Sequence, residues 1–414
     1  MMSAVKIQLS VIVTLLLAAS VGASPLFSLS EFRALELAFS RGRELSMLEN
    51  RTQIVTARST SIDWLENPEI RFSEISSRYV TDEFDELEIG MRWRPPNLAI
   101  WNVDEQENRV AVTEAEVDMN NCRRQLAARV RKVFSDVVML DELTRLFEKR
   151  VIVQEKRIGV IEQMVRNGQR SIIYATKARM AVNETKNDFT RVRQDRSEKR
   201  RRLAELTGCS ENVLLEIDEL PEIDSSFPQL RKIALSRRPE IELVNQKKSL
   251  AQKQYNYERL KLVPWFRFFE ASHHVRENGD GDWDELMIGV AIPLFNWNIG
   301  NIRATNIAVE RRETQTEAIR ERIEAQVGDT YAIYRDTLLD YQNFSDDAKQ
   351  FLFEAERIIK ISLSHRTLNP DEVMELELAI LGTKRLLVEK RGRLAHALAE
   401  VYLVVGVNSV DELK

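Results

Sequence analysis

Two stretches of this chain alternate like strands and then open into long charged segments, and this recurrence limits the fold more than any other feature. Leu286-Met287-Ile288-Gly289-Val290-Ala291-Ile292-Pro293-Leu294-Phe295 follows, 199 positions later, on Leu87-Glu88-Ile89-Gly90-Met91-Arg92-Trp93-Arg94-Pro95-Pro96. Both have strand period, with one apolar face, and both end at proline. Gly90 and Gly289 hold the same place on the opposite face. Elsewhere the chain reads as helix: charged residues are 30% of it, with only 14 glycines and 10 prolines among 414 residues, the balance of long helices with solvated faces.

The duplication extends far beyond the strands. Asn67-Pro68 and Val263-Pro264 each break a helix and push the chain extended. Leu126, Val130, Val133, Val137, Leu140, Thr144, Phe147, Val151, Gln154, Ile158, Ile161 and Val165 step by four and three, a heptad seam. A related seam runs from Ile323 to Ile358 in the second half. Asn167-Gly168 supplies a turn, with Ser171 as cap of a returning helix. The reading is a first structural repeat over 24–208, with a β-hairpin at about 68–95 and a helical hairpin at about 104–206. A linker at 209–228 leads to a second repeat over 229–406, with a β-hairpin at about 264–293 and a helical hairpin at about 302–406, and a tail at 407–414. Ser30 to about Leu65 reads as one helix.

Residues 1–23 carry the layout of a secretory signal peptide: Lys6, an apolar run from Ile7 to Ala19, and the small-residue exit Val21-Gly22-Ala23. An uncleaved membrane anchor is the competing reading. A net charge of −5 argues against nucleic acid as a partner. Four histidines and two cysteines leave little material for a metal or thiol site. No nucleophile–base pairing, phosphate loop or metal cluster stands out, so neither an enzyme nor a cofactor is expected. His273 and His274 are adjacent on a strand and point to opposite faces. The run Lys199-Arg200-Arg201-Arg202, flanked by Glu198 and Glu205, reads as a solvated helix face. Cys122 and Cys209 lie at similar distances from the Asn167-Gly168 turn, so a disulfide is one reading and two free thiols the other.

Two isolated hairpins are marginal on their own, and four strands cannot close a barrel, for which about eight is the practical minimum. Several chains must then share one barrel, and three would supply twelve strands. On that reading Leu87, Ile89, Met91, Trp93, Leu286, Ile288, Val290 and Ile292 face lipid, while Glu88, Arg92 and Arg94 turn to the lumen. Aromatics near the strand ends, Tyr79, Phe84, Trp93, Trp265 and Trp283, suit an interfacial girdle. A small soluble sheet packed on helix is the alternative. Together with the family resemblance given next, which implies the trimer and the helical tunnel, the fold class expected is mainly α with a small β-barrel part: a long coiled-coil α-barrel plus four transmembrane β-strands per chain, internally duplicated and trimeric.

In the order, spacing and duplication of these features the chain resembles the TolC-like outer-membrane efflux proteins, their heavy-metal-exporting branch included, over essentially the whole mature length. The residues that carry this are Asn67-Pro68-Glu69, Ile292-Pro293-Leu294-Phe295 with Gly300 and Ala304, Gly168 with Ser171, Leu206-Thr207-Gly208, and Val405-Gly406. The resemblance implies a homotrimer with a barrel in the outer membrane and a helical tunnel in the periplasm. It also implies partnership with a periplasmic adaptor (membrane fusion protein) and an inner-membrane pump. The family's second helical hairpin carries two acids at its periplasmic entrance, and Glu372 and Glu375 match those positions. Their spacing puts both on one helix face; acids favoured in a first turn by the helix dipole are the plainer reading. Arg366 stands where Gly168 would predict glycine. Val165, Arg166, Asn167, Gly168 and Gln169, with His365, Arg366, Thr367, Leu368 and Asn369 on the second tip, are the expected adaptor contacts. The function so implied is a passive duct; the alternative is a periplasmic coiled-coil adaptor or scaffold. The exported substrate is not written in these residues.

Overall fold

The structure, a computed structural model, describes residues 28–61, 65–78, 83–216, 219–276, 281–295, 297–365, 369–407, 409 and 412. The signal-peptide reading of 1–23, Tyr79 and the tip residues Arg366, Thr367 and Leu368 lie outside them, as does the side chain of Phe84. The elements are β1 (Ser28–Leu29), α1 (Glu31–Arg41), α2 (Arg43–Arg58), β2 (Glu69–Arg78), β3 (Glu83–Trp93), α3 (Leu98–Arg166), α4 (Ile172–Thr207) and β4 (Leu214–Leu215). Then follow α5 (Phe227–Arg237), α6 (Pro239–Leu260), β5 (Trp265–Arg276), β6 (Trp283–Ala291), α7 (Ile299–His365) and α8 (Pro370–Val405). The duplication is visible in these lengths. α3 and α7 have 69 and 67 residues, α4 and α8 have 36 each, and α4 and α8 both end on left-handed glycines, Gly208 and Gly406. At 1.5 Å per residue α3 is on the order of 100 Å long.

Local chemistry explains most boundaries. Asn369 caps α8 in a capping box with Glu372, and Pro370 takes a first-turn position that needs no N–H. Ser171 caps α4 through the Ile173 N–H, and Ser30 caps α1 through that of Arg33. The single helix expected from Ser30 to Leu65 is in fact two, broken at Gly42, whose backbone is extended. Glycine is a poor helix interior residue, and Arg41 just before it is drawn off to donate Nη1 to the Gly208 carbonyl at 2.8 Å. The long helix begins at Leu98 rather than near 104. The stretch 209–228 is more than a linker: β4 pairs in parallel with β1 and α5 starts at Phe227.

The chain forms two compact units. One comprises the described residues of Met1–Gly42, Arg124–Ser225 and Asp329–Lys414; the other, Arg43–Arg123 and Ser226–Gly328. The first is helical, and its core sets Leu29, Ala34, Leu35 and Ala38 against Val130, Val133, Phe134, Val137 and Leu203. Burying each large aliphatic here contributes about 1.5–3 kcal/mol. Of the predicted α3 seam, Val130, Val133, Val137, Leu140, Phe147, Gln154 and Ile161 are buried and the rest half-buried. Tyr334 is fully buried and its hydroxyl accepts the Ile223 N–H at 3.0 Å, holding the segment that leads out of β4.

The second unit holds a four-stranded antiparallel sheet in the order β2-β3-β5-β6, so the two hairpins join edge to edge through β3 and β5. Its helices bury Val103, Val110, Val117 and Ala251 and are also tied by polar pairs. Thr113 Oγ1 donates to the Gln246 side chain at 3.0 Å, and Lys247 pairs with Glu114 at 2.9 Å. No described helix is long and apolar enough to cross a membrane.

Candidate functional site

The sheet is turned inside out relative to a water-soluble one. Leu87, Ile89, Met91, Trp93, Leu286, Ile288, Val290 and Ile292, the predicted lipid-facing residues, are all exposed, Leu286 at 84%. Ile292 lies one residue past β6. Ile70 and Phe72 extend the same exposed face on β2. The opposite face buries polar side chains instead: Glu270, Ser272 and His274 are each under a tenth exposed. Register explains the segregation, because Arg92 faces Glu270, Gly90 faces Ser272 and Glu88 faces His274.

Buried polar groups require partners, and this face provides them. Glu270 takes Arg71 Nη1 on one carboxylate oxygen at 2.6 Å and Arg92 on the other at 2.6 and 2.9 Å. Ser73 donates to Glu88 at 2.5 Å. His274 stacks on Trp283 at 3.9 Å between ring centroids and meets Ser272 at 3.1 Å. His273 points to the other face and pairs with Asp284 at 2.8 Å. The predicted luminal residues Glu88 and Arg92 are therefore on the polar face. Arg94, just past β3, pairs with Glu69 at 3.2 Å. The Phe268 ring lies against the Cα of Gly289, where a Cβ would come within 2.4 Å, and Arg92 stacks over that ring at 4.7 Å.

A β-bulge between Phe266 and Phe268 re-aims the start of β5. Phe266 thereby joins the apolar face and stacks on Phe269 at 5.2 Å, which stacks on Trp93 at 6.4 Å. Trp265 meets Phe266 edge-on at 6.2 Å. This gives an aromatic cluster at the proline-bounded end of the sheet. Trp283 belongs to the polar face, not to the predicted girdle.

The helical unit contributes two tips. At the first, the Gln169 N–H bonds to Met164 C=O at 2.9 Å and the Gly168 N–H to Val165 C=O at 3.0 Å, with Gly168 at φ 73°. This is the Schellman closure, which needs a left-handed residue at that point. Arg166, Asn167, Gly168 and Gln169 are exposed and Val165 half-buried. On the second tip, α7 ends at His365 and Asn369 is exposed. Glu372 accepts the Asn369 N–H at 3.0 Å, and its side chain stays exposed. Glu375 is 68% exposed and receives Arg157 Nη2 at 3.3 Å.

The buried charge at this tip is a residue that sequence reasoning missed. Asp371, with a side chain only 4% exposed, receives Arg157 Nε at 2.6 Å and Arg170 Nη2 at 3.4 Å. Its position beside Glu372 in the first turn resembles helix-dipole chemistry, and only the fold brings Arg157 to it.

Further along, two carboxylates on α3 each clamp neighbouring helices. Asp136 receives His396 Nε2 and Lys199 Nζ, both at 2.8 Å. Burial raises its pKa, but hydrogen bonds from His396 and Lys199 outweigh this and hold the carboxyl below its ordinary value. Asp141 behaves alike, with Arg200 and Arg196 outweighing its burial. This corrects the reading of 199–202 as a solvated face for Lys199 and Arg200, while Arg201 and Arg202 are exposed as expected. Lys199 and Arg200 point inward, and Arg200 also donates to the Glu211 and Val213 carbonyls. Cys122 and Cys209 are not joined in a disulfide. No group of three or more His, Cys, Asp or Glu able to hold a metal occurs among the described residues.

The sequence matches no family model and no curated protein. Solved structures do match, nearly end to end. CusC, whose crystal structures concern folding and transmembrane channel formation, aligns over 94% of this chain and 96% of its own, with TM-score 0.70 and 15% identity. The outer-membrane protein VceC of Vibrio cholerae aligns over 92% of this chain and 97% of its own, with TM-score 0.66 and 14% identity. The MtrE outer-membrane channel of Neisseria gonorrhoeae aligns over 91% and 88%, with TM-score 0.68 and 14% identity. At this level of identity the likeness is one of fold, and the fold of this chain is that of the TolC-like outer-membrane channels.

Proposed function

We propose that this chain is the outer-membrane duct of a tripartite efflux or secretion system. Three copies close one barrel, and the assembly passively conducts substrate received from a periplasmic adaptor and an inner-membrane pump. The observation that carries this reading is the inverted sheet, with apolar side chains exposed on one face and ion pairs buried on the other. A face of that kind suits lipid, and its polar reverse suits a water-filled lumen. Among the described residues β2 and β6 are each paired on one side only, and unpaired strand edges are not stable in lipid. Copies of the same sheet supply the missing partners.

The exposed residues Arg166 to Gln169 and Asn369 are the adaptor-docking tips in this proposal. Glu372 and Glu375, repeated threefold, form acidic rings at the periplasmic entrance that favour cations. The capping bond of Glu372 engages one carboxylate oxygen and leaves the charge in place. Photo-crosslinking from Gln169 in native membranes tests the reading. Capture of an adaptor with its pump is the expected result. Recovery in the soluble fraction, cross-linked only to itself or to nothing, overturns it.

A further inference from the structure

The two repeats differ where each β-hairpin hands over to its long helix. After β3, Pro95, Pro96, Asn97, Ala99 and Ile100 are half-buried, and Trp101, in the first turn of α3, is 44% exposed. The Trp265 indole N–H reaches the Pro95 carbonyl at 3.4 Å, and Asn97 Oδ1 accepts the Ala99 N–H at 2.9 Å. After β6 the corresponding connector is bare. Leu294, Trp297 and Ile299 are 60–70% exposed and Phe295 is 95% exposed. Four large apolar side chains within six positions stand in the open, continuous with exposed Ile288, Val290 and Ile292.

This overhang is held in shape. The Leu294 N–H bonds back to the Ile292 carbonyl at 3.0 Å, turning the chain at Pro293. Asn298 adopts φ 51°, a left-handed conformation that asparagine tolerates better than most residues. Its Nδ2 donates to the Glu258 carbonyl at 2.9 Å and the Glu258 carboxylate at 2.6 Å, and its carbonyl accepts the Ile302 N–H at 3.0 Å. Asn301 Nδ2 donates to Asn298 Oδ1 at 2.7 Å. The connector's polar group is thus pinned to the end of α6 and the start of α7, while its apolar side chains stay exposed. Exposing so many large apolar groups to water forgoes the stabilisation that burial would give each of them.

We infer that the β6–α7 connector is a membrane-interface anchor, seating Leu294, Phe295, Trp297 and Ile299 at the boundary of lipid headgroups and acyl chains. The inference rests on reading the sheet as part of a transmembrane barrel. The occupant follows from continuity: the overhang prolongs the apolar face of β6 beyond the strand, at the same end as the Trp93–Phe269–Phe266 cluster. Tryptophan is enriched at bilayer interfaces, and phenylalanine and leucine seat the apolar face of segments that lie there. Among the described residues, positions 95–100 of the first connector show no such run of open apolar side chains, so the anchor is placed on the second connector.

The test uses full-length protein carrying Cys122→Ser and Cys209→Ser, with a bimane label on either Phe295→Cys or, as a control on the strand, Ile288→Cys. Both are reconstituted into phosphatidylcholine vesicles with bromines placed shallow or deep on the acyl chains. Label at 295 is expected to lose more fluorescence to shallow bromines, and label at 288 more to deep ones. Quenching at 288 without quenching at 295 overturns the anchor and leaves the channel reading intact. If 295 then forms a disulfide with its own copy or cross-links to a neighbouring copy, the second copy is the occupant. Absence of quenching at both positions overturns the barrel reading itself.

Discussion

Arg92 on β3 meets Glu270 on β5 across the buried face of the sheet, with its Nη2 and Nε 2.6 and 2.9 Å from one carboxylate oxygen. Arg71 on β2 takes the other oxygen. The three residues lie on three successive strands, so the node joins the first hairpin to the second. Glu270→Leu removes the acceptor of two guanidinium groups at once. A loss of about 3 kcal/mol is expected, because stripping one partner leaves charge without compensation. Arg71→Leu leaves Glu270 with Arg92 and is expected to lose less. Thermal melts of the assembled protein in detergent check this ordering, and equal losses would show that the node does not act as a unit.

The exposed apolar face separates lipid from water by one substitution. Ile288→Arg in a barrel strand costs about 2–4 kcal/mol near the bilayer midplane. The same change on a solvated surface is usually within about 0.5 kcal/mol. Refolding into vesicles, scored by the fraction that assembles, is expected to drop sharply for Ile288→Arg. Unchanged assembly means that the face meets water.

Gly208 is constrained twice. It ends α4 at φ 66°, and a Cβ there would lie 1.6 Å from Arg41 Nη1. Gly168 has a similar φ but open space around it. Either Gly→Ala change costs about 1 kcal/mol for the left-handed backbone. Gly208→Ala must also displace Arg41 from the Gly208 carbonyl and should melt lower than Gly168→Ala. Equal melting temperatures would mean that the Arg41 contact contributes nothing.

What was legible from sequence is what repeats locally. Period-2 alternation around Gly90 and Gly289, the proline breaks and the seven-residue seam each lie within a short window, and each became the expected element. Gly42 splits a helix because Arg41 is engaged by a carbonyl 167 positions away, which no window contains. β1 and β4 are two residues long and have no period to detect. The strand order, with β3 beside β5, is a long-range pairing that hairpin signals alone leave open. Arg157 and Asp371 are 214 positions apart, so the sequence showed an acidic first turn while the fold made one of those acids a buried ion pair. The inward turn of Arg200 is hidden from sequence for the same reason, since its partner Asp141 lies on another helix.

The tip acids are expected to divide stability from selectivity. Arg157→Gln takes the nearer cation from buried Asp371, and a loss of about 2–3 kcal/mol is expected with Arg170 still in place. Glu375→Gln touches an exposed pair, whose contribution to stability is about 0–1 kcal/mol. In planar bilayers, Glu375→Gln together with Glu372→Gln is expected to reduce cation-over-anion permeability, as thinning an acidic ring does. If reversal potentials in a salt gradient do not move, these glutamates do not line the entrance.

Acid should loosen the helical unit through Asp136 and Asp141. Both carboxyls sit below their ordinary pKa of 3.8, because their His396, Lys199, Arg196 and Arg200 partners outweigh burial. A lowered folded-state pKa means stability that is fully present above the unfolded value and lost as pH falls through the folded one. The melting temperature should therefore hold steady with respect to these two groups down to about pH 4 and decline below it. Asp136→Asn with Asp141→Asn should lower the plateau near neutral pH and flatten the acid decline, since the groups that bind protons on unfolding are gone. Melts at closely spaced pH values distinguish the two shapes. Parent and double-variant curves that stay parallel through the acid range would mean these clamps add no pH-linked stability, and the packing of Val130, Val133 and Val137 against α1 would then hold the helices together unaided.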